Sequence, residues 1–254
     1  MITPDLHKKP VGLDREKHKN LKLRRELSNL RAAAGLNALF LTGAEFGDAC
    51  KEYPILFLNA GQDEQGKTQV APVAVFGVTQ GENLFLQPDG RWDAYYVPAM
   101  LRAYPFTMAR LDADRFVVVF DESYDGLSET EGQAFFDEQG EPTEMLKELR
   151  QFIENIEVEI ERTRRAGQRL MELKLLQPKR FDATLPDGSP FAVDGFLALD
   201  EERLAQLSDA EMLELSRSGL LALLHAHQIS MSNMRRLLDR RLAQQAAAIG
   251  IRQF

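Results

Sequence analysis

Up to about Phe106 the chain is a series of short apolar runs broken by turn residues: Ala38–Leu41, Pro54–Asn59, Val70–Val78 and Asn83–Gln87. Val73, Val75 and Val78 are β-branched, and Gln80-Gly81-Glu82 punctuates the chain just before Asn83-Leu84-Phe85-Leu86, so these runs predict strands with a hairpin at Gly81. Arg115–Asp121, a continuous apolar run bounded by charge, predicts a buried strand. From Pro142 the period changes. Leu146, Leu149, Phe152/Ile153, Ile156 and Ile160 recur at steps of three and four, the stripe of an amphipathic helix that Pro142 can open. Leu170, Leu173 and Leu176 prolong the stripe past Gly167, where a bend is expected, and Pro178 is expected to stop it, giving a long helix over about 142–176. After a turn at Leu185-Pro186-Asp187-Gly188 come a strand-like Phe191–Leu199 and a capping box at Ser208…Glu211, which opens one or two helices over about 208–249.

Strands and helices are thus partly segregated. An α+β fold is expected, with a mainly antiparallel sheet from the N-terminal half packed against long helices from the C-terminal half. The 254 residues, 44% hydrophobic and 28% charged, are enough for one substantial core. The expected organisation is a basic N-terminal arm over residues 1–31 followed by a single α+β domain over 32–249.

Charge changes this picture at the ends. The net charge is −8, yet residues 1–31 carry nine Lys/Arg against four Asp/Glu and residues 231–254 carry five against one, which leaves −17 for residues 32–230. A basic arm without interleaved aromatics on so acidic a body is expected to fold back or stay solvated, and nucleic acid is not the expected partner. No apolar run is long enough for a membrane span or a signal peptide, and a lone cysteine, Cys50, cannot form an internal disulfide, so a cytoplasmic protein is expected.

Two motifs resemble chemistry. Gly61-Gln62-Asp63-Glu64-Gln65-Gly66-Lys67-Thr68 satisfies the phosphate-loop pattern, and Val117–Glu122 ends an apolar strand in acid, as a magnesium-holding strand does. Gly66, Lys67, Thr68 and Asp121 would then be the nucleotide residues. The context opposes this. The loop should open onto a helix whose N–H groups hold the phosphates, but Gln69-Val70-Ala71-Pro72-Val73 has strand character, and Asp63 and Glu64 place negative charge where a polyphosphate would sit. An exposed polar hairpin is the simpler reading. His225 and His227 lie two apart, on different faces of a helix, and cannot share a metal; one is expected toward the core and one toward solvent. Cys50 reads as packing rather than nucleophile. Neither a catalytic residue set nor a cofactor or metal site emerges.

The remaining signal is aromatic. Phe85, Trp92, Tyr95, Tyr96, Tyr104 and Phe106 crowd between Asn83 and Phe106 with Arg91 and Arg102 among them, a composition suited to core or to a contact surface. Asn83, Trp92, Tyr96, Arg102 and Tyr104 are the candidate binding residues. The chain resembles the SapC family of bacterial proteins through Glu45-Phe46, Tyr53-Pro54-Ile55, Pro72-Val73-Ala74, Gly81-Glu82-Asn83-Leu84-Phe85, Asp89-Gly90-Arg91-Trp92, Tyr96-Val97-Pro98-Ala99, Arg102–Phe106, Phe135-Phe136-Asp137 with Gly140, Gly195-Phe196 and Gly219–Ser230. The run from Gly81 to Phe106 is its most specific part.

The family takes its name from a gene linked to a paracrystalline surface layer and its export. The resemblance therefore implies an accessory protein without assigned catalytic residues, binding a protein partner or small ligand in connection with the cell surface. A membrane permease shares the name, and the absence of spans separates the two. The alternatives are a nucleotide-binding enzyme using the Gly61–Thr68 loop with Asp121, and an enzyme of another class using the aromatic segment with Asp121 or Asp194. Self-association stays open.

Overall fold

The computed structural model describes residues 2–24, 30–63, 65–110, 116–185 and 188–248. In chain order the strands are β1 (Pro10–Gly12), β2 (Lys22–Leu23), β3 (Ala38–Phe40), β4 (Ile55–Gln62), β5 (Thr68–Val75), β6 (Phe106–Arg110), β7 (Phe116–Asp121), β8 (Leu127–Ser128), β9 (Gln133–Ala134), β10 (Leu176–Thr184) and β11 (Pro190–Leu199). The helices are α1 (Phe46–Ala49), α2 (Ala99–Ala103), α3 (Glu144–Glu172), α4 (Glu201–Ala205), α5 (Asp209–Ser218), α6 (Leu220–Ser230) and α7 (Asn233–Ala248). Every strand pairing among them is antiparallel, and the fold is α+β as the residue pattern predicts. None of the helices is long and apolar enough to cross a membrane among the described residues. The expected Arg115 start of β7, Glu64 of the Gly61–Thr68 loop and Pro186-Asp187 of the expected turn lie outside the described residues.

The chain divides into two compact units. The first comprises residues 1–35, 85–93 and 97–158, and the second residues 36–84, 94–96 and 159–254. In the first, β7 is the centre of a three-stranded sheet between β1 and β6. Residues 10–12 of the basic N-terminal segment pair with 119–121, so this part folds back into a sheet. Its core gathers Met100, Phe106, Phe120, Phe135, Leu146, Leu149, Ile153 and Ile156, all buried. The polar shoulders of α3 are laced by ion pairs three or four residues apart, such as Arg150–Glu154 at 2.8 Å, each adding a few tenths of a kcal/mol.

In the second unit a five-stranded sheet runs in the order β10-β11-β4-β5-β3. The join between β11 and β4 is a single residue pair, Leu197 with Phe57, so something else must hold it. His227 on α6 does so. The Leu199 N–H donates to Nε2 at 3.1 Å, while Nδ1 lies 2.7 Å from the Ile55 carbonyl, which fixes the proton on Nδ1. One turn on, the Ser230 hydroxyl accepts from the Ile55 N–H at 3.0 Å and donates to the His227 carbonyl at 2.6 Å. His227 is buried and His225 exposed, as helical geometry requires of residues two apart.

Several elements differ from the residue pattern. Asn83–Gln87 is not a strand: Glu82 accepts the Val78 and Thr79 N–H groups at 3.0 and 3.2 Å and closes a turn, leaving only an isolated bridge between Leu86 and Trp92. Helix α3 runs through Gly167, whose missing side chain admits Val70; a Cβ there would lie 3.0 Å from the Val70 carbonyl oxygen. The helix ends before Pro178. Lys174 takes φ 56°, and the Lys174 and Leu175 N–H groups return to Met171 and Leu170 at 3.0 and 2.9 Å, a Schellman ending without the usual glycine. Pro178 instead lies in β10, the sheet edge, where a missing N–H costs little. The region from Ser208 holds three helices, α5 to α7, rather than one or two, because Gly219 at φ 81° breaks the apolar run. The capping box at Ser208 and Glu211 is present.

Two predictions follow from this packing. Ile153 is buried and Glu154 sits beside it on the polar shoulder, so Ile153→Asp should cost about 3 kcal/mol or more in urea denaturation while Glu154→Ala should change stability by under about 0.5 kcal/mol; equal midpoints for the two variants would contradict this helix face. Burial pulls the His227 imidazole below its ordinary pKa, only partly offset by the Ile55 carbonyl. A group whose folded pKa is depressed stabilises above its unfolded value and loses that contribution as pH falls. Stability should therefore decline below about pH 6.5. His227→Gln, which can keep both hydrogen bonds without titrating, should flatten that slope in thermal melts, leaving the part due to buried His7, whose pKa is lowered in the same direction.

Candidate functional site

The segment from Gly81 to Phe106 contributes residues to both units. Asn83 and Tyr96 belong to the second unit; Trp92, Arg102 and Tyr104 belong to the first. Asn83 is half-buried behind the Glu82 turn, where Glu82 also meets the Arg241 guanidinium at 3.3 Å. Trp92 lies stacked on Phe85, ring centroids 5.9 Å apart, and is half-buried. The Tyr96 hydroxyl donates to the buried carboxylate of Glu45 at 2.9 Å, and its carbonyl accepts from the Tyr53 hydroxyl. Glu45 accepts the Thr42 N–H and hydroxyl on its other oxygen, both at 2.8 Å, so this cluster locks a turn together.

Tyr104 is buried, and its hydroxyl donates to Asp121 at 3.1 Å; burial and the neighbouring carboxylate push the phenol well above its ordinary pKa. Asp121 is wholly buried. Its oxygens also accept the Lys8 and Lys9 N–H groups at 3.0 and 2.9 Å and the Ser123 N–H and hydroxyl at 3.0 and 2.7 Å. Burial alone would raise its pKa, but the Ser123 hydroxyl and the three backbone donors outweigh it and leave the carboxyl below its usual range. Five donors occupy the lone pairs that magnesium would need.

The Gly61–Thr68 loop is the turn of the β4–β5 hairpin, followed by a strand and not a helix. Asp63 stands where a phosphate would: its Oδ1 accepts the Gln65 and Lys67 N–H groups, both at 2.9 Å. Gly66, Lys67 and Thr68 thus form a loop whose amides are already engaged, in a different unit from Asp121. Cys50 is buried, and burial pushes its thiol pKa up, away from a reactive thiolate. Asp194 is exposed on β11. Among the described residues no three His, Cys, Asp or Glu side chains are grouped to hold a metal.

Arg102 is the candidate that reaches a cleft. Pro98 and Val97 precede α2, whose apolar residues Ala99, Met100, Leu101 and Ala103 are buried, so the helix turns its one long polar side chain outward. The guanidinium lies over the Phe152 ring, 5.2 Å from its centroid, and Nε donates to the Val97 carbonyl at 3.0 Å. This stacked cation lines a cleft of about 840 Å³ together with Gln133 and with Glu144, Met145, Glu148, Leu149 and Phe152. Those five positions share one face of α3. The hydropathy stripe points to Leu149 and Phe152 as core but passes over Glu144, Met145 and Glu148. Charged and flexible residues at the start of an amphipathic helix carry no such mark, since an acidic residue in a first turn is what the helix dipole favours anyway.

The fold is α+β, with antiparallel sheets and helices. A sequence model of the SapC family matches residues 13–237, and the chain belongs to that family. No curated protein and no solved structure matches the chain.

Asp121→Asn should cost roughly 2–4 kcal/mol, because an amide turns donors toward two of the groups that donate to this carboxylate. Hydrogen exchange at the Lys8 and Lys9 amides should accelerate in parallel. An unaltered melt with unaltered protection at those two amides would show that the carboxylate does not hold the N-terminal segment.

Proposed function

We propose that this SapC-family chain is a non-enzymatic accessory protein that binds a protein partner through the Arg102 cleft, in a cytoplasmic role tied to bacterial cell-surface or envelope export. The observation that supports this is the make-up of the cleft wall. Met145, Leu149 and Phe152 offer apolar contact, Glu144 and Glu148 offer two carboxylates, and Arg102 offers a cation in the same lining. A partner segment with apolar side chains, basic groups for the glutamates and an acidic group for Arg102 complements all three.

Arg102 is also held ready. Its stacking on Phe152 and its bond to the Val97 carbonyl restrict the side chain before any partner arrives, which reduces the entropy lost on binding. Arginine beside an aromatic ring is the composition of binding hot spots. The link to surface export rests on the family's name, taken from a gene associated with a paracrystalline surface layer.

The test compares capture by wild type, Arg102→Ala and Met145→Asp from native extract of the source cells. Met145 is half-buried at the start of α3, where a carboxylate is compatible with the helix dipole, so Met145→Asp should melt within about 3 °C of wild type. Both variants should weaken the captured complex by about 1–2 kcal/mol, a five- to thirtyfold rise in Kd. Complexes retained at wild-type affinity by both stable variants would refute the cleft as the binding surface.

A further inference from the structure

On the other side of the buried α3 stripe, still within the first unit, lies a second concavity of about 470 Å³. Its walls are apolar. Leu13, Met108, Phe116, Val118, Phe136 and Leu146 line it, and β7 contributes no polar side chain to it. Phe116 is 48% exposed and Val117 and Val118 half-buried, in a strand whose last three residues are buried. The volume falls in the range of small-molecule sites, and Phe116, Val118 and Leu13 stay at least partly open to solvent above the buried Met108, Phe136 and Leu146.

The rim is cationic. Arg15, Lys147 and Arg150 line the groove against one carboxylate, Glu141. Arg15 is positioned: Nη2 donates to the Gln139 carbonyl at 2.8 Å, and Nη1 pairs with Glu141 at 3.2 Å. It lies across Gly140, where a Cβ would come within 2.8 Å of Nε, so Gly140, at φ 76°, is needed for the guanidinium to lie there. Lys147 and Arg150 stand one turn apart on α3, and their partners Glu144 and Glu154, at 3.4 and 2.8 Å, form exposed pairs. Exposed pairs of this kind hold weakly and release their cations readily to a better-placed anion. This positive rim sits on a chain of net charge −8, so it is a local feature rather than a reflection of overall charge.

An apolar trough closed by cations matches a ligand with an apolar body and one anionic end. We infer that this groove binds a medium-chain alkyl carboxylate, the chain lying along Leu13, Val118 and Phe116 and the carboxylate meeting Lys147, Arg150 and Arg15. The chain rather than the head supplies most of the affinity, because the rim cations keep much of their water while the trough's apolar side chains lose theirs on binding. Affinity therefore rises with chain length until the trough is full.

The experiment is calorimetric titration of the full-length chain, below the critical micelle concentration, with octanoate, decanoate and dodecanoate. Controls are acetate, the head alone, and dodecyltrimethylammonium, the same chain with a cationic end. One carboxylate should bind per chain, tightening roughly tenfold for each two methylenes added. Acetate should show no heat of binding, and dodecyltrimethylammonium should bind at least tenfold more weakly than dodecanoate. Phe116→Ser and Lys147→Glu/Arg150→Glu, all at exposed positions, should each weaken dodecanoate at least fivefold with circular dichroism unchanged. Equal binding of the cationic and anionic chains, absence of a chain-length dependence, or full affinity in both folded variants would each overturn the assignment. The selectivity arm uses wild-type protein alone and decides the matter even if a variant fails to fold.

Discussion

Burial of one apolar stripe on α3 underlies the rest of the molecule. Leu146, Leu149, Ile153 and Ile156 supply the first unit's core, and Ile160 and Leu170 that of the second. A side chain of this size contributes about 1.5–3 kcal/mol when fully buried, so the stripe outweighs the exposed ion pairs on the same helix many times over. It also sets what the first turns of α3 can present. With the stripe turned inward, Glu144, Met145 and Glu148 fall on one shoulder and Lys147 and Arg150 on the other. The helix thereby walls two recesses of opposite charge within one unit.

Polar residues in the interior serve the backbone. Asp121 takes five hydrogen bonds, three of them from main-chain N–H groups, and so ties residues 8 and 9 to the end of β7. Glu45 joins Thr42 to Tyr96, and His227 spans the gap where β11 meets β4 through one residue pair. A buried polar group must have its hydrogen bonds made, since leaving one unmade costs about 1–3 kcal/mol. The acids and histidine that look most like chemistry in the chain are therefore occupied in holding strands and turns, while the residues that line recesses stand on α2 and the first turns of α3.

This division explains why the Gly81–Phe106 segment, the most specific part of the family resemblance, contributes so few residues to a recess. Phe85, Tyr104 and Phe106 are core, Trp92 covers Phe85, and Tyr96 closes on Glu45. Arg102 lines the cleft because α2 buries its apolar residues and has one long polar side chain left to turn out.

By itself the sequence determined the class of fold, most of the strands, the long helix and its buried face, the Ser208 capping box and the hairpin nature of the Gly61–Thr68 loop. Each of these is written in local periodicity or in residues within four positions of one another. It could not show that Lys174 ends α3 without a glycine, that Gly167 serves Val70 rather than a bend, or that Asp121 has five donors drawn from three stretches of chain. Nor could it show that Arg102 lines one cleft with Glu144 and Glu148, some forty residues away along the chain. Those outcomes depend on which segments meet across long sequence separations, and side-chain patterning specifies a buried face without naming what is buried against it. Only tertiary packing made that choice.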